Sequence, residues 1–305
     1  VERFAGFFAA GGWTQTIFEF YLNNKLTYKR KRDSWGGASA PWIFDEPLHT
    51  QDFWALRQYG LALHRGLQRW RSASGQARAP QMAFRVDISR PLWQRNILDG
   101  VVDVNVGGHT WRSYRERVLR RKHRFGELLY NYGSANEIAD ANSYLTSWCL
   151  DVWTLGGDGV IPWQTIGRAD SLARGDRHAL IYPGREDGEQ RPLPSIRLKA
   201  LRRGQQDVEY LALLARTWGG QRTQVARMAR EILGLDTESV ADEDPREWLE
   251  RLLEIDPQAL WTLRFRVGLT LDGLETSRTS PPSPLGVRLR DPHDVIDVGS
   301  IRENE

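Results

Sequence analysis

The sequence predicts an α/β fold of parallel strands joined by crossover helices, and three observations predict it. Short extended segments alternate with helical ones along most of the chain. The extended segments are nearly all apolar, as strands covered on both faces are. Polar and aromatic residues gather just after them: Asn24 and Lys25, Asp45 and Glu46, Arg85 and Asp87, Asn105, Tyr130 and Asn131, and Trp163. In a (β/α)8 barrel these positions line the C-terminal rim, where active sites sit. A doubly wound sheet also places its site at strand C-termini, but the chain has no glycine-rich phosphate loop of either standard type.

The elements follow in order. Residues 18–22 are aromatic and stop at Asn23-Asn24-Lys25, which predicts a strand; residues 26–40, polar, basic and glycine-rich, predict a loop. Trp42-Ile43-Phe44 reads as a short buried strand stopped by Asp45-Glu46-Pro47. From Asp52, Phe53, Leu56, Gly60, Leu63, Leu67 and Trp70 recur every three or four residues, which is helical spacing. Residues 72–80 read as a linker. Strands are expected at 82–86, 101–106, 128–130 and 159–163, and helices at 112–124, 142–155 and 195–218. After Gly219 the pattern becomes helical throughout, with helices at 223–233 and 245–254 and a third starting at Asp256-Pro257. From Thr276 the chain is Ser, Pro, Asp and Arg without periodicity, and a loose tail is expected.

The 305 residues are 40% hydrophobic and 27% charged, a globular composition that suits one large domain or two small ones. Mean hydropathy is −0.53 and no apolar run is long enough to span a bilayer. One cysteine, Cys149, excludes an intramolecular disulfide framework and any multi-cysteine metal site; inside a helical segment it reads as a small buried hydrophobe. Six histidines stand without metal-ligand spacing, so no metal and no cofactor are expected. Lys+Arg of 42 against Asp+Glu of 39 leaves a net charge of only +3, and the arginine bias fits a GC-rich genome as well as an anionic partner. The cations of 112–124 point in nearly every helical direction, which argues for a solvated outer helix rather than a nucleic-acid surface. Residue 1 is Val, with no initiator Met or signal segment, and the sequence is expected to begin inside a longer protein; localisation and oligomeric state are not readable from it.

The chemistry-bearing motif is Asp45-Glu46. Neighbouring residues on a regular strand face opposite sides, so both serve one site only where the chain bends, and the following Pro47 favours such an irregularity. Two carboxylates in one cleft divide into an ionised stabiliser and a proton donor, the division glycosidases need. The alternative is that Asp45 caps the next helix and Glu46 is solvated. Trp148, Trp153 and Trp163 either floor a sugar ring or pack a core. Arg85 and Asp87 either bind hydroxyls or pair with each other, Tyr130 either bonds a substrate amide or fills a layer of the core, and Asn24 and Lys25 end a strand within reach of a sugar.

Six segments in order carry a resemblance: FYLNNK (20–25), WIFDEP (42–47), RVDISRP (85–91), LLYNYGS (128–134), HALIYPG (178–184) and PSIRLKALRRGQQDVEYLALL (194–214). Together they resemble glycoside hydrolase family 123 and the related domain of unknown function 4091, over residues 1–270. In the last segment Arg197, Leu201, Arg202, Gly204, Asp207, Glu209, Tyr210 and Leu211 match a helix signature of that group. The resemblance implies a (β/α)8 barrel with its third to eighth strands in residues 1–218, C-terminal helices over 219–275 and a tail over 276–305. The first two strands and a β-sandwich would then precede Val1. It implies a retaining β-N-acetylhexosaminidase, β-N-acetylgalactosaminidase-like and exo-acting, on a glycan, glycolipid or other glycoconjugate. Asp45 would orient the substrate's 2-acetamido group and stabilise the oxazolinium; Glu46 would protonate the leaving oxygen and then activate water. Asn24, Lys25, Arg85, Asp87, Tyr130, Asn131, Trp148, Trp153 and Trp163 would bind substrate. A glycosidase of other specificity, or a catalytically silent carbohydrate-binding barrel, is the alternative.

Overall fold

The computed structural model describes residues 1–13, 15–24, 42–75, 80–184, 191–235 and 245–275. The expected loop at 26–40, Lys25 and the expected tail at 276–305 lie outside the described residues. The fold is α/β, and the chain divides by its contacts into two units, Val1–Leu129 and Tyr130–Leu285.

The first unit opens with α1 (Glu2–Ala10), followed by β1 (Ile17–Tyr21), α2 (Thr50–Ser74), β2 (Gln81–Ile88) and β3 (Val104–Gly107). A 3₁₀ turn (His109–Tyr114) then leads into α3 (Arg115–Phe125). Strands β1, β2 and β3 are parallel neighbours, with Tyr21 beside Arg85 and Asp87 beside Val106. Each crossover is helical or long, as parallel pairing requires. Helix α2 buries Phe53, Leu56, Gly60, Leu63 and Leu67, the stripe its sequence spacing predicts. Gly60 is there because nothing larger fits: an added Cβ would lie 2.3 Å from Val101 Cγ1 and 2.7 Å from Phe84 Cδ1. The helix ends at Gly75 in the left-handed region, φ 61. In β2, Phe84, Val86 and Ile88 are buried in the core while Arg85 and Asp87, on the other face, are half-buried.

Trp42–Phe44 is not a strand. Ile43 and Phe44 are buried as expected, but their backbone donors find irregular acceptors: Phe44 N–H bonds Asn24 O at 2.9 Å and Ile43 N–H bonds Asp52 Oδ1 at 2.9 Å. A side chain and a loop carbonyl do the work of a ladder, which no local pattern announces.

The second unit holds β4 (Leu128–Gly133), whose first two residues fall in the first unit, α4 (Asn142–Thr154) and β5 (Gly159–Pro162), parallel to β4. A short antiparallel pair, β6 (Ile181–Tyr182) and β7 (Leu193–Pro194), precedes α5 (Ile196–Thr217), α6 (Arg222–Leu233), α7 (Pro245–Leu253) and α8 (Pro257–Glu275). Helix α4 is buried on every side from Tyr144 to Thr154, wrapped by its neighbours. Within that packing Arg230 Nη1 pairs with Asp151 Oδ1 at 2.8 Å, a buried ion pair. Helix α5 meets α4 at Gly204, where a Cβ would lie 2.9 Å from Cys149 Sγ and 3.0 Å from the Thr146 backbone. Cys149 is buried, as its helical setting predicts. Among the described residues no helix is long and apolar enough to cross a membrane.

The α5 signature resolves into a packing face. Arg197, Leu201, Gly204, Asp207 and Leu211 are the buried positions, spaced to fall on one side of the helix, while Arg202 and Glu209 are exposed. Arg197 donates to the backbone carbonyls of Asn136, Arg177 (2.6 Å) and Ala179 (2.7 Å) and to the Tyr182 hydroxyl (2.8 Å). Asp207 accepts from Arg203 Nε at 2.9 Å and Arg264 Nη1 at 2.9 Å.

Candidate active site

The Asp45-Glu46 turn is held from two directions. Asn24, three residues beyond the end of β1, accepts from the backbone N–H of Phe44 and, at 3.2 Å, of Asp45, while its side-chain amide donates to Trp42 O. From the other side the buried carboxylate of Asp52, in the first turn of α2, accepts from Ile43 N–H and, at 3.3 and 2.9 Å, from Leu48 and His49 N–H. An acid in the first turn also suits the positive end of the helix. Asn24 therefore serves the turn through both its backbone and its side chain.

The expected bend is present at Glu46. Its backbone adopts φ 58, the left-handed region that residues other than glycine rarely enter. Pro47 follows, and a proline pushes the residue before it toward extended backbone, so Glu46 departs from both ordinary choices. Asp45 is 5% exposed and Glu46 half-buried.

Beside Asp45 lie side chains from β1 and β2. The Tyr21 hydroxyl donates to the Asp45 carboxylate. Arg85, its register partner on β2, sets its guanidinium 4.6 Å from the centre of the Tyr21 ring. The same guanidinium forks onto Asp87, Nε to Oδ1 at 2.8 Å and Nη2 to Oδ2 at 3.0 Å, and reaches Glu19 Oε2 at 3.4 Å. The Arg85–Asp87 pair is thus formed, the structural option of the two open in the sequence. Burial, then the negative charges of Asp87 and Asp45 together with the Asp45 hydrogen bond, hold the Tyr21 phenol far above its usual range. Burial works against the charge on Arg85, but Asp87, Glu19 and Tyr21 outweigh it and hold the guanidinium above its usual value. Tyr21 was not among the sequence candidates. Its one signal is position: the last residue of its strand, two after Glu19 and so on the same face.

The remaining candidates belong to the second unit. Asn131 and Trp148 are fully buried, and Trp148 Nε1–H donates to Asn131 Oδ1 at 2.6 Å. They satisfy each other inside the core, so neither presents a surface to a sugar. Trp153 is also buried, with the Arg222 guanidinium 4.7 Å over its ring. Tyr130 is half-buried on β4, its ring against Gly159, where a Cβ would stand 3.2 Å from Tyr130 Cδ1. Trp163 is the candidate open to solvent, 47% exposed and edge-on to Tyr132 at 6.2 Å.

The basic helix departs from the solvated face its sequence predicts. Arg117, Arg120 and Arg124 are exposed, but Arg112 and Arg121 are buried, so the helix is not solvated all round. Arg121 Nε pairs with buried Glu127 Oε1 at 2.7 Å and Nη2 bonds Leu98 O at 3.2 Å. A buried acid just past the helix captured a cation that sequence spacing alone assigned to water. Among the described residues, no group of three His, Cys, Asp or Glu side chains stands together as a metal site.

No protein-family model matches the chain, and no curated protein matches it. Among solved structures it is similar to a family 123 glycoside hydrolase from Clostridium perfringens, studied for the details of glycolipid glycan hydrolysis. The identity is 12% and the TM-score 0.47, over 81% of this chain and 45% of that one. The chain spans less than half the length of that structure.

Proposed function

We propose that the chain carries a glycosidase centre built on Asp45 and Glu46 and acting on 2-acetamido sugars, as a retaining β-N-acetylhexosaminidase with substrate assistance. The observation that carries this reading is the Asp45-Glu46 turn itself. It places a buried carboxylate, hydrogen-bonded by Tyr21, directly before an acid whose backbone is forced into the left-handed region. Strained backbone of this kind persists only where the surroundings over-determine it and clusters at functional sites. The resemblance of six segments, in order, to family 123 supports the same choice of residues.

In this reading the substrate's acetamido oxygen attacks the anomeric carbon as the glycosidic bond breaks. Glu46 gives its proton to the leaving oxygen. Asp45 accepts from the acetamido N–H and stabilises the positive charge that develops on the resulting oxazolinium. Water then attacks the anomeric carbon, Glu46 takes back a proton, and the configuration is retained. The nucleophile belongs to the substrate, so the two carboxylates need no wide separation, which distinguishes this route from the common two-carboxylate geometries.

The test is a panel of aryl glycosides with and without a 2-acetamido group. Acetamido substrates should turn over and 2-hydroxyl ones barely react, and a thiazoline mimic of the cyclised intermediate should inhibit. Glu46→Gln should lower the rate by about 100-fold or more, and by less for substrates with good leaving groups, which need little protonation. Equal turnover of both substrate types, or a glycosyl group trapped on a carboxylate, would reject substrate assistance.

A further inference from the structure

An acetamide-orienting carboxylate has to be held to within about 0.5 Å of its productive position, by groups that are themselves fixed. The surroundings of Asp45 contain such a group. Tyr21 ends β1, and its ring is backed by the Arg85 guanidinium at 4.6 Å. That guanidinium is pinned in turn by two bonds to Asp87 and by Glu19. The clamp spans two adjacent parallel strands at the Tyr21–Arg85 register pair, so the ring cannot swing away without losing the guanidinium packed against its face. The hydroxyl at the end of this ring meets Asp45, whose backbone is already tied to Asn24.

We infer that Tyr21 is a positioning residue of the proposed centre: its clamped hydroxyl fixes the Asp45 carboxylate and aims it at the substrate's acetamido N–H. The role rests on the catalytic reading of Asp45. Burial and the two neighbouring acids keep the phenol protonated, so the hydroxyl stays a donor throughout any working pH range.

Tyr21→Phe removes the hydroxyl and keeps the ring under Arg85. The measurement is kcat and KM on an aryl 2-acetamido-2-deoxy-β-galactoside for the unmodified chain, Tyr21→Phe, Asp45→Asn and the double variant, with melting curves to show that each is folded. Tyr21→Phe should lower kcat by about tenfold or more, the worth of one hydrogen bond to a charged group, with KM moving much less. In the Asp45→Asn background the same change should cost almost nothing, because Tyr21 acts through Asp45. An unchanged kcat, or an equal loss in both backgrounds, overturns the role. If the unmodified chain does not turn this substrate over, the proposed function fails by itself, and the contact is read from urea unfolding of the same four chains: the losses from Tyr21→Phe and Asp45→Asn should be less than additive in the double variant, and strict additivity overturns the role there too.

Discussion

In the proposed centre, Glu46 sets chemistry against backbone stability at a single residue. A non-glycine residue in the left-handed region costs about 1–2 kcal/mol, and glycine pays almost none of it. Glu46→Gly should therefore raise the unfolding free energy in urea by about 1 kcal/mol while abolishing glycoside turnover. A destabilised Glu46→Gly would mean that the side chain stabilises the turn instead. Cys149 gives a second single-residue prediction. Burial, and after it the charge of Asp207, pushes its thiol up to about 12. Almost no thiolate exists near neutral pH, so a disulfide reagent should leave the native protein untouched and label it once in denaturant. Rapid labelling of the folded chain would contradict the packing of α4 against α5. At this scale the sequence singled out Asp45 and Glu46 because they close an apolar segment just before a proline, where other such segments also end in polar and aromatic residues. It could not separate Trp148 from Trp163, since an aromatic in a core and one at a surface are the same letter. Tyr21 escaped notice because its value lies in a partner contributed by β2, far along the chain.

At the scale of elements, the turn carrying Asp45 depends on Asp52 more than on its own residues. The Asp52 carboxylate accepts three backbone N–H groups from the segment ahead of α2. Asp52→Ala strands those donors, and Ile43 is buried. The expected loss is about 3 kcal/mol, together with most of the activity, measured by urea unfolding and by turnover. Retained activity at a lowered stability would show that the turn keeps its shape without Asp52. Helices and strands were largely readable from periodicity: α5 and α6 follow the spacing of their apolar residues to within a residue, because each presents one long stripe to a core, whereas α2 runs on through Ser74 into residues 72–74 that read as linker. Residues 42–44 were not readable. They look like a strand because they are aromatic and β-branched, and they are buried for that reason, yet their hydrogen bonds go to Asn24 and Asp52. The α5 signature was legible as a pattern but not as a role; five of its matching positions, Arg197, Leu201, Gly204, Asp207 and Leu211, prove to pack and pin the helix, while Arg202, Glu209 and Tyr210 are exposed.

For the molecule as a whole, charge is nearly balanced at 42 cations against 39 anions, and part of the basic helix is turned inward. With Arg121 committed to Glu127, the cations left for a polyanion on that helix are few and exposed. Binding to DNA or RNA should be weak and vanish near physiological salt. Reversing Arg117 and Arg120 is the informative variant, since both are exposed and a reversed Arg121 would bury two like charges. Tight, salt-resistant binding lost in that variant would overturn this expectation.

Arg197 also bears on how the second unit comes into being on the ribosome. Its backbone acceptors at Asn136, Arg177 and Ala179 are all synthesised before it, the first of them 61 residues earlier. At ordinary translation speeds that gap lasts roughly 3–12 seconds. During that interval the turn around the Asn136 carbonyl exists as nascent chain without the cation that closes it. A message paused before codon 197 would prolong that state.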